Sequence, residues 1–274
     1  MEKNFTAMKI DLKDHSKQIR LDILNTIYAA EKGHIGGSLS CVDILVALYY
    51  GGIFKYNSNY SKWPNRDRLI LSKGHAAVAL YAVLANVGFF SRDELYGFNT
   101  GAALGEHPDI QISGIEVNSG SLGHGLGVGA GIAYAAKMDR QSFCIYVILG
   151  DGECYEGSVW EAAMFAAHHK LNNLIAIVDR NQLCIHGCTE EINKLNSLQD
   201  KFSSFGWSVE TVNGNDPDSI LSAIISLPPL KPKAIIANTI KGKGVSFMEG
   251  RANWHHGGLT KEQYEQALLE IRNA

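Results

Sequence analysis

Short apolar runs rich in β-forming residues alternate along the chain with segments whose apolar positions recur at helical spacing. The runs predict five strands, at residues 67–72, 144–149, 174–179, 207–212 and 234–238. Spacing of three or four residues predicts helices at residues 16–31, 41–50, 75–86, 158–170, 216–227 and 260–271. Strands that alternate with helices are typical of a mainly parallel sheet covered on both faces. The pattern therefore predicts an α/β fold with three layers, α/β/α.

Glycine and proline refine this picture. The first helix is expected to stop before Gly33, and Ser40 is the predicted N-cap of the second. Residues 120–137 are rich in glycine and alanine, which indicates close approach of another backbone or a ligand, because glycine costs a helix about 1 kcal/mol against alanine. The proline-rich residues 227–232 predict a turn rather than a linker. No repeat is found, so residues 1–274 are expected to form one domain.

Composition excludes several classes of function. The net charge is −3, which gives no electrostatic reason to expect a nucleic-acid partner. No run of about 18 apolar residues predicts a membrane span, and the polar residues 1–4 do not start a signal peptide. The five cysteines are an odd number in a long chain, which favours reduced thiols in the cytoplasm.

Candidate chemistry lies directly after two predicted strands. Residues 150–153 (GDGE) follow the strand at 144–149, and Asn181 follows the strand at 174–179. Ligands of open α/β sheets bind at the carboxyl ends of strands. Asp151 and Asn181 offer oxygen atoms that suit Mg²⁺, with Ca²⁺ or Mn²⁺ as alternatives, and a backbone carbonyl just past Asn181 would complete the set. Taken alone, the motif is explained equally well by a turn with a capping aspartate.

Two other motifs give weaker evidence of function. Residues 125–130 (GLGVGA) fit G-x-G-x-x-A, but no convincing long strand precedes them, so a dinucleotide-binding dehydrogenase is not favoured. Residues 184–188 (CIHGC) contain metal-binding residue types, but their spacing fits no usual zinc knuckle.

The context of the GDGE segment decides between these readings. From residue 149 to residue 179 it resembles the thiamine diphosphate motif of the transketolase family. Four further segments resemble motifs of that family in the same order, at residues 32–34 (KGH), 71–77 (LSKGHAA), 119–123 (SGSLG) and 254–257 (WHHG). The likeness covers residues 16–260, so it predicts the thiamine diphosphate-binding fold for nearly the whole chain.

The resemblance implies roles for individual residues. Asp151, Asn181 and the carbonyl of Leu183 correspond to the metal ligands, and Gly152 and Lys241 to groups near the diphosphate. Other positions correspond to residues that line the cofactor: His75, Gly120, Ser121, Leu122 and His256. Glu156 corresponds to a glutamate at the subunit interface near the cofactor. His34, His107 and His256 correspond to histidines that contact the sugar and move protons, for which an imidazole is suited near neutral pH.

Three positions depart from the family pattern. Glu106 stands where the family usually has glycine, His124 where it commonly has glutamine, and Gly37 where some members have serine. The first of these bears on His107, its neighbour, and the second on contacts around the thiamine.

The resemblance also implies a partner. In the family a second domain binds the aminopyrimidine and carries the glutamate that activates the cofactor, and this chain is not long enough to include it. We therefore expect the N-terminal subunit of a split transketolase of the pentose phosphate pathway, acting on sugar phosphates in a heterotetramer with a separate C-terminal subunit. Residues 183–196 and 241–256 are expected to close over bound ligand.

Alternatives stay open at this stage. They are a transketolase-like subunit of a specialised pathway, a different thiamine diphosphate enzyme (the alpha chain of a 2-oxo acid dehydrogenase first component, or a deoxyxylulose-phosphate synthase), and a non-enzymatic module that kept the diphosphate domain.

Overall fold

A computed structural model describes residues 11–226 and 230–274. In this part of the chain, five strands form one sheet in which every neighbouring pair runs parallel. The strands are β1 (Arg68–Leu71), β2 (Ile145–Gly150), β3 (Leu174–Arg180), β4 (Ser208–Asn213) and β5 (Lys233–Asn238). Their order across the sheet is β1-β2-β3-β5-β4, so β2, β3 and β5 lie inside it and β1 and β4 form its edges.

Helices cover both faces of the sheet. They are α1 (Leu12–Ala30), α2 (Ile35–Ser40), α3 (Val42–Tyr50), α4 (Ala77–Asn86), α5 (His124–Met138), α6 (Gly157–His168), α7 (Thr189–Ile192), α8 (Leu198–Ser204), α9 (Pro217–Ser226) and α10 (Lys261–Asn273). Buried apolar side chains divide into two clusters. One contains residues of α1, α3, α4, α9 and α10, and the other contains residues of α5, α6 and α8.

Side chains along a strand belong alternately to the two clusters. In β2, Tyr146 and Ile148 belong to the first cluster, whereas Ile145, Val147 and Leu149 belong to the second. Successive side chains of a strand point to opposite faces, so one apolar run supplies two cores. This confirms the predicted three-layer α/β/α fold with a parallel sheet.

The glycine-rich segment is explained by α5, which packs closely on the sheet. A Cβ on Gly129 would lie 2.6 Å from Cγ2 of Val147 in β2, a distance that no real Cβ tolerates. Glycine at this position therefore allows the close helix–sheet contact, which offsets its poor helix propensity. The G-x-G-x-x-A match at residues 125–130 lies inside α5, and the preceding element is a 3₁₀ turn (Arg92–Gly97), so it does not form a strand–turn–helix dinucleotide site.

Some predicted boundaries are wrong. Ser40 is not the N-cap of α3, because residues 35–40 form the separate helix α2 and Cys41 occupies the cap position. The hydroxyl of Ser40 instead contacts Asp179 Oδ2 at 2.6 Å. The helix predicted from residue 75 begins as a 3₁₀ turn (Gly74–Ala76), and α1 begins earlier than predicted, with Asp11 as its N-cap accepting from the Lys13 amide at 3.0 Å.

Several sequence predictions fall partly outside the described residues. These are the predicted helix end at residue 227, the first half of the turn predicted at 227–232 and the polar start at residues 1–4, so the single domain over 1–274 stays a prediction. All five cysteines are free thiols, as expected. None of the helices in the described ranges combines the length and the apolar character that a membrane span requires.

Candidate functional site

A cleft of about 380 Å³ opens at the carboxyl edge of the sheet. Four strands end there, and a polar residue shortly after each one lines the cleft: Lys73 after β1, Asp151 after β2, Asn181 after β3 and Lys241 after β5. Because the strands are parallel and adjacent, segments far apart in sequence deliver their side chains to one place. The predicted convergence of Asp151 and Asn181 at this edge is observed.

The oxygen atoms of the cleft belong to the two strand-end turns. Asp151 is buried, and its carboxylate accepts hydrogen bonds from the amides of Gly152 at 2.8 Å and Gln182 at 2.6 Å. Asn181 Oδ1 accepts from the Leu183 amide at 3.1 Å. Burial, followed by the charge of Asp179, raises the pKa of Asp151 to about 6. A divalent cation beside this carboxyl would stabilise its ionised form, so the donor set fits a hard metal ion.

A buried lysine faces this oxygen cluster. The Lys241 side chain is 1% exposed, and its Nζ donates to the carbonyl of Leu183 at 3.4 Å and lies 2.8 Å from Nδ1 of His255. Burial, followed by the charge of Lys73, lowers the pKa of Lys241 to about 8. The group is still largely cationic at neutral pH. A buried cation close to a metal site and to Gly152 suits a diphosphate, whose negative charge would compensate both cations.

The floor of the cleft is an ion pair that the sequence did not reveal. Lys73 Nζ pairs with Asp179 and donates to the carbonyl of Gly37 at 2.8 Å, and both charged side chains are almost fully buried. Asp179 also accepts from the hydroxyls of Ser40 and Thr239. This network ties β1, α2, β3 and the segment after β5 together beneath the cleft.

A second buried carboxylate holds the glycine loop of residues 119–123. Glu153 accepts hydrogen bonds from the amide of Gly123 at 2.8 Å, the amide of Gly150 at 2.9 Å and the hydroxyl of Ser72. The acidic residue of the GDGE motif is thus a structural clamp between strand ends and the loop. Because Glu153 lies inside the GDGE motif, the sequence could have indicated this structural role.

Three imidazoles form one side of the cleft. The ring centroids of His34, His75 and His255 lie between 5.3 and 5.5 Å from one another. Burial lowers the pKa of His34 to about 4 and of His255 to about 3, and it holds the pKa of His75 well below its usual value. All three rings are therefore neutral at pH 7, and each can donate and accept one hydrogen bond.

Most residues selected from the sequence line this cleft: His34, His75, His107, Gly120, Leu122, Asp151, Gly152, Glu156, Asn181, Leu183 and Lys241. Ser121 is exposed on the glycine loop and is not among the lining residues. His256 is also outside the lining. Its side chain is 42% exposed, and its ring centroid lies 4.5 Å from that of His34.

The adjacent His255 takes the inward position. It follows a 3₁₀ turn (Ala252–Trp254) and contacts Lys241, whereas His256 points toward Glu106, 3.5 Å from its Oε2. Because His255 and His256 are adjacent, the sequence alone does not show which of the two side chains faces the cleft. His255 and Lys73 are two polar cleft residues that sequence reasoning missed.

Comparison with known proteins agrees with this geometry. A family model described as "Transketolase, thiamine diphosphate binding domain" matches residues 12–270. An apulose-4-phosphate transketolase subunit from Phocaeicola vulgatus is 48% identical over 265 residues, which are 95% of this chain and 93% of that protein. The "6-deoxy-6-sulfo-D-fructose transketolase subunit SqwG" of Clostridium sp. (strain MSTE9) is 44% identical over 270 residues, 97% of this chain and 98% of that protein.

A solved structure matches the fold. The transketolase of Campylobacter jejuni superposes with a TM-score of 0.89 at 31% identity, covering 95% of this chain and 42% of that chain. The chain thus spans less than half the length of that transketolase, but nearly the full length of the two similar subunits. On the family match over residues 12–270 and the subunit-length likeness, this chain belongs to the transketolase family and corresponds to its thiamine diphosphate-binding domain.

Proposed function

We propose that this chain is the cofactor-binding subunit of a two-chain transketolase, an enzyme that transfers a two-carbon ketol group from a ketose to an aldose. The observation that carries the proposal is the convergence of Asp151, Asn181 and Lys241 with three neutral histidines in one cleft. A dinucleotide or nucleic-acid site would need neither this oxygen cluster nor the histidines.

The cofactor would be held by its diphosphate end. Asp151, Asn181 and the Leu183 carbonyl would ligate Mg²⁺, with Ca²⁺ or Mn²⁺ accepted by the same hard oxygens. Gly152 and Lys241 would contact the diphosphate, which the Lys241 charge would help to neutralise. The thiamine side would be lined by His75, Gly120, Leu122 and Glu156, with Ser121 exposed beside them on the glycine loop.

The histidines give the cleft its proton chemistry. When bound, thiamine diphosphate supplies a nucleophilic carbon and an electron sink for ketol transfer. His34 and His255, neutral and within 5.4 Å of each other by ring centroid, would bind sugar hydroxyls and take or return protons at their ring nitrogens. His107, whose ring lies 6.2 Å from that of His34, and His256 extend the row toward the rim.

A separate subunit would complete the active site. Both relatives of matching length are named as subunits, and the transketolase of C. jejuni is more than twice as long as the region that this chain matches. Glu156 and Ser121 are exposed beside the cleft, where a partner subunit would cover them. We place the activating glutamate and the aminopyrimidine site on that partner, in a heterotetramer with twofold symmetry.

A specialised sugar pathway is the second candidate. The names of the relatives that are 48% and 44% identical specify apulose-4-phosphate and 6-deoxy-6-sulfo-D-fructose. Family membership does not select among donors, so assignment to the pentose phosphate pathway stays a prediction, as does a cytoplasmic location.

Reconstitution tests the proposal. The chain and the product of the neighbouring reading frame would be purified separately and assayed for ketol transfer with thiamine diphosphate and Mg²⁺. We expect activity only in the mixture, and a panel of ketose phosphates and modified ketoses would then identify the donor. Ketol transfer by the chain alone at the rate of the mixture would contradict the two-chain proposal. Cofactor binding with no transfer in any mixture would favour a non-enzymatic module.

A further inference from the structure

Three side chains at the rim of the cleft place metal-binding atoms close together. His34 Nδ1 lies 3.7 Å and His256 Nε2 lies 3.5 Å from Oε2 of Glu106, and all three atoms are within 4.8 Å of one another. They come from three distant segments: the N-terminal end of α2, the loop before His107 and the segment after residue 254. The group is separate from the oxygen cluster of Asp151 and Asn181.

We propose that His34, Glu106 and His256 form a second metal site at the rim of the cleft, specific for Zn²⁺ and related transition-metal ions. Two imidazoles and one carboxylate are a common zinc ligand set with a fourth position left for water. Tetrahedral Zn²⁺ with ligands at 2.0–2.1 Å holds its donor atoms about 3.3 Å apart. The distances from Glu106 Oε2 to the two histidine nitrogens exceed this by a few tenths of an ångström, and the ligand atoms of the two histidines lie within 4.8 Å of each other.

Hydrogen bonding around the carboxylate supports the assignment. Asn99 Nδ2 donates to Oε1 of Glu106 at 2.8 Å, which leaves Oε2 facing the two histidines. Asn99 is itself fixed, because its amide donates to the Leu104 carbonyl at 2.7 Å and its φ of +57° is a left-handed conformation that asparagine tolerates. Metal-binding carboxylates are usually oriented in this way by a second residue.

A histidine nitrogen at this site is also free to bind a metal ion. Nδ1 of His34 is buried and has no hydrogen-bond partner among the described residues. An unpaired buried polar atom costs free energy that a metal bond would recover.

The two metal sites differ in chemistry. Imidazole and carboxylate together favour Zn²⁺ and Co²⁺, whereas the all-oxygen cluster in the cleft favours Mg²⁺. Zn²⁺ at the rim would occupy His34 and His256 and hinder access of the sugar. That consequence for catalysis rests on the proposed function, whereas metal binding itself does not.

Co²⁺ titration of the full chain tests the site, with thiamine diphosphate and Mg²⁺ present to fill the oxygen cluster. Four- or five-coordinate Co²⁺ absorbs strongly in the visible range, whereas six-coordinate Co²⁺ on oxygen ligands absorbs weakly. We expect an intense visible spectrum at one equivalent of Co²⁺, which an equivalent of Zn²⁺ abolishes.

Variants locate the bound ion. Glu106→Gln and His256→Ala should each weaken Co²⁺ binding by roughly 100-fold or more, and Asn99→Ala by about tenfold through loss of carboxylate orientation. His168→Ala is the matched control, because His168 is an exposed histidine whose ring lies 4.8 Å from that of His169 on another surface. Circular dichroism and the thermal midpoint would verify that each variant folds.

The outcome is decisive in either direction. Loss of the spectrum in Glu106→Gln and His256→Ala, with His168→Ala unchanged, supports the rim site. The proposal is overturned if the unaltered chain gives no intense spectrum or if His168→Ala loses it. It is also overturned if Glu106→Gln and His256→Ala bind Co²⁺ as tightly as the unaltered chain. None of these results depends on ketol transfer, so a failure here is distinguishable from a failure of the proposed function.

Discussion

At the residue scale, the Lys73–Asp179 pair is the most consequential interaction that lies outside the sequence motifs. The two residues are 106 positions apart, and both side chains are at most 1% exposed. A buried charge left without its partner is strongly destabilising. The pair therefore contributes to the fold beneath the cleft as well as to the electrostatic field within it.

Lys73→Met tests this contribution. Methionine keeps most of the volume of the side chain but leaves the Asp179 carboxylate unpaired, so we expect the free energy of unfolding to fall by about 3–5 kcal/mol. Urea denaturation followed by circular dichroism measures the change. Lys62→Met, at an exposed lysine, should change stability by no more than about 0.5 kcal/mol. An equal effect of the two substitutions would show that the buried ion pair does not contribute to the free energy of unfolding.

A second buried pair makes stability depend on pH. Burial acts to raise the pKa of Asp43, but the charge and hydrogen bonds of Arg20, at 2.6 and 3.2 Å, outweigh it and hold the pKa below its usual value. Asn215 adds a third hydrogen bond at 3.2 Å. A depressed carboxyl pKa means that the unfolded chain takes up the proton first. The stabilisation is therefore complete above the unfolded pKa of about 3.9 and is lost as pH falls through the lower folded value.

Asp43→Asn should reveal this linkage. At pH 7 the variant leaves Arg20 without its charged partner, so it should be less stable than the unaltered chain by about 3 kcal/mol. The difference should narrow as pH falls from about 5 to below 4. Asp139→Asn, at an exposed carboxylate, should keep the original pH profile. A constant difference between Asp43→Asn and the unaltered chain across this pH range would show that Asp43 is not the titrating group.

At the element scale, the strands explain why the site was partly predictable. Their apolar runs located all five strands to within one or two residues, and Asp151 and Asn181 were found because each directly follows such a run. The short helices α2, α7 and α8 were not predicted, since stretches such as residues 35–40 (IGGSLS) carry no helical periodicity. The inward turn of His255 and the burial of Lys73 depend on contacts through space that no local pattern encodes.

Two segments, residues 183–196 and 241–256, contribute side chains to the cleft. Residues 183–196 contain one isolated bridge between Leu183 and Cys188, and the Tyr155 hydroxyl donates to the Thr189 carbonyl at 2.6 Å. Residues 241–256 contribute Lys241 and His255 to the lining of the cleft. Both segments present groups that bound cofactor would contact.

Hydrogen exchange should therefore slow in these two segments on ligand binding. With thiamine diphosphate and Mg²⁺, we expect increased protection at residues 183–196 and 241–256, because ligand contacts remove the local opening that permits exchange. Mass spectrometry of peptic fragments measures this change. The segment of α10 (Lys261–Asn273) serves as the internal reference and should not respond. Equal protection with and without ligand would contradict closure of the two loops.

At the scale of the whole molecule, one parallel sheet gathers every element of the proposed cofactor site at its carboxyl edge. Family membership was predictable from the sequence because five motifs occur in order along a chain of 274 residues. The substrate was not predictable, since the proposed partner subunit would supply the sugar-selecting contacts. The structure supports the proposed half of the active site, in which this chain would bind the metal and the diphosphate.

The most direct measurement is the affinity for thiamine diphosphate in the presence and absence of Mg²⁺, by titration calorimetry on the full chain with the proposed partner subunit. We expect binding that requires Mg²⁺ and that Asp151→Ala weakens by at least roughly 100-fold, because the ion loses its charged ligand. Asp139→Asn, far from the cleft edge at the end of α5, should bind as the unaltered chain does. Unchanged, Mg²⁺-dependent affinity in Asp151→Ala would contradict the assignment of this cleft as the metal and diphosphate site.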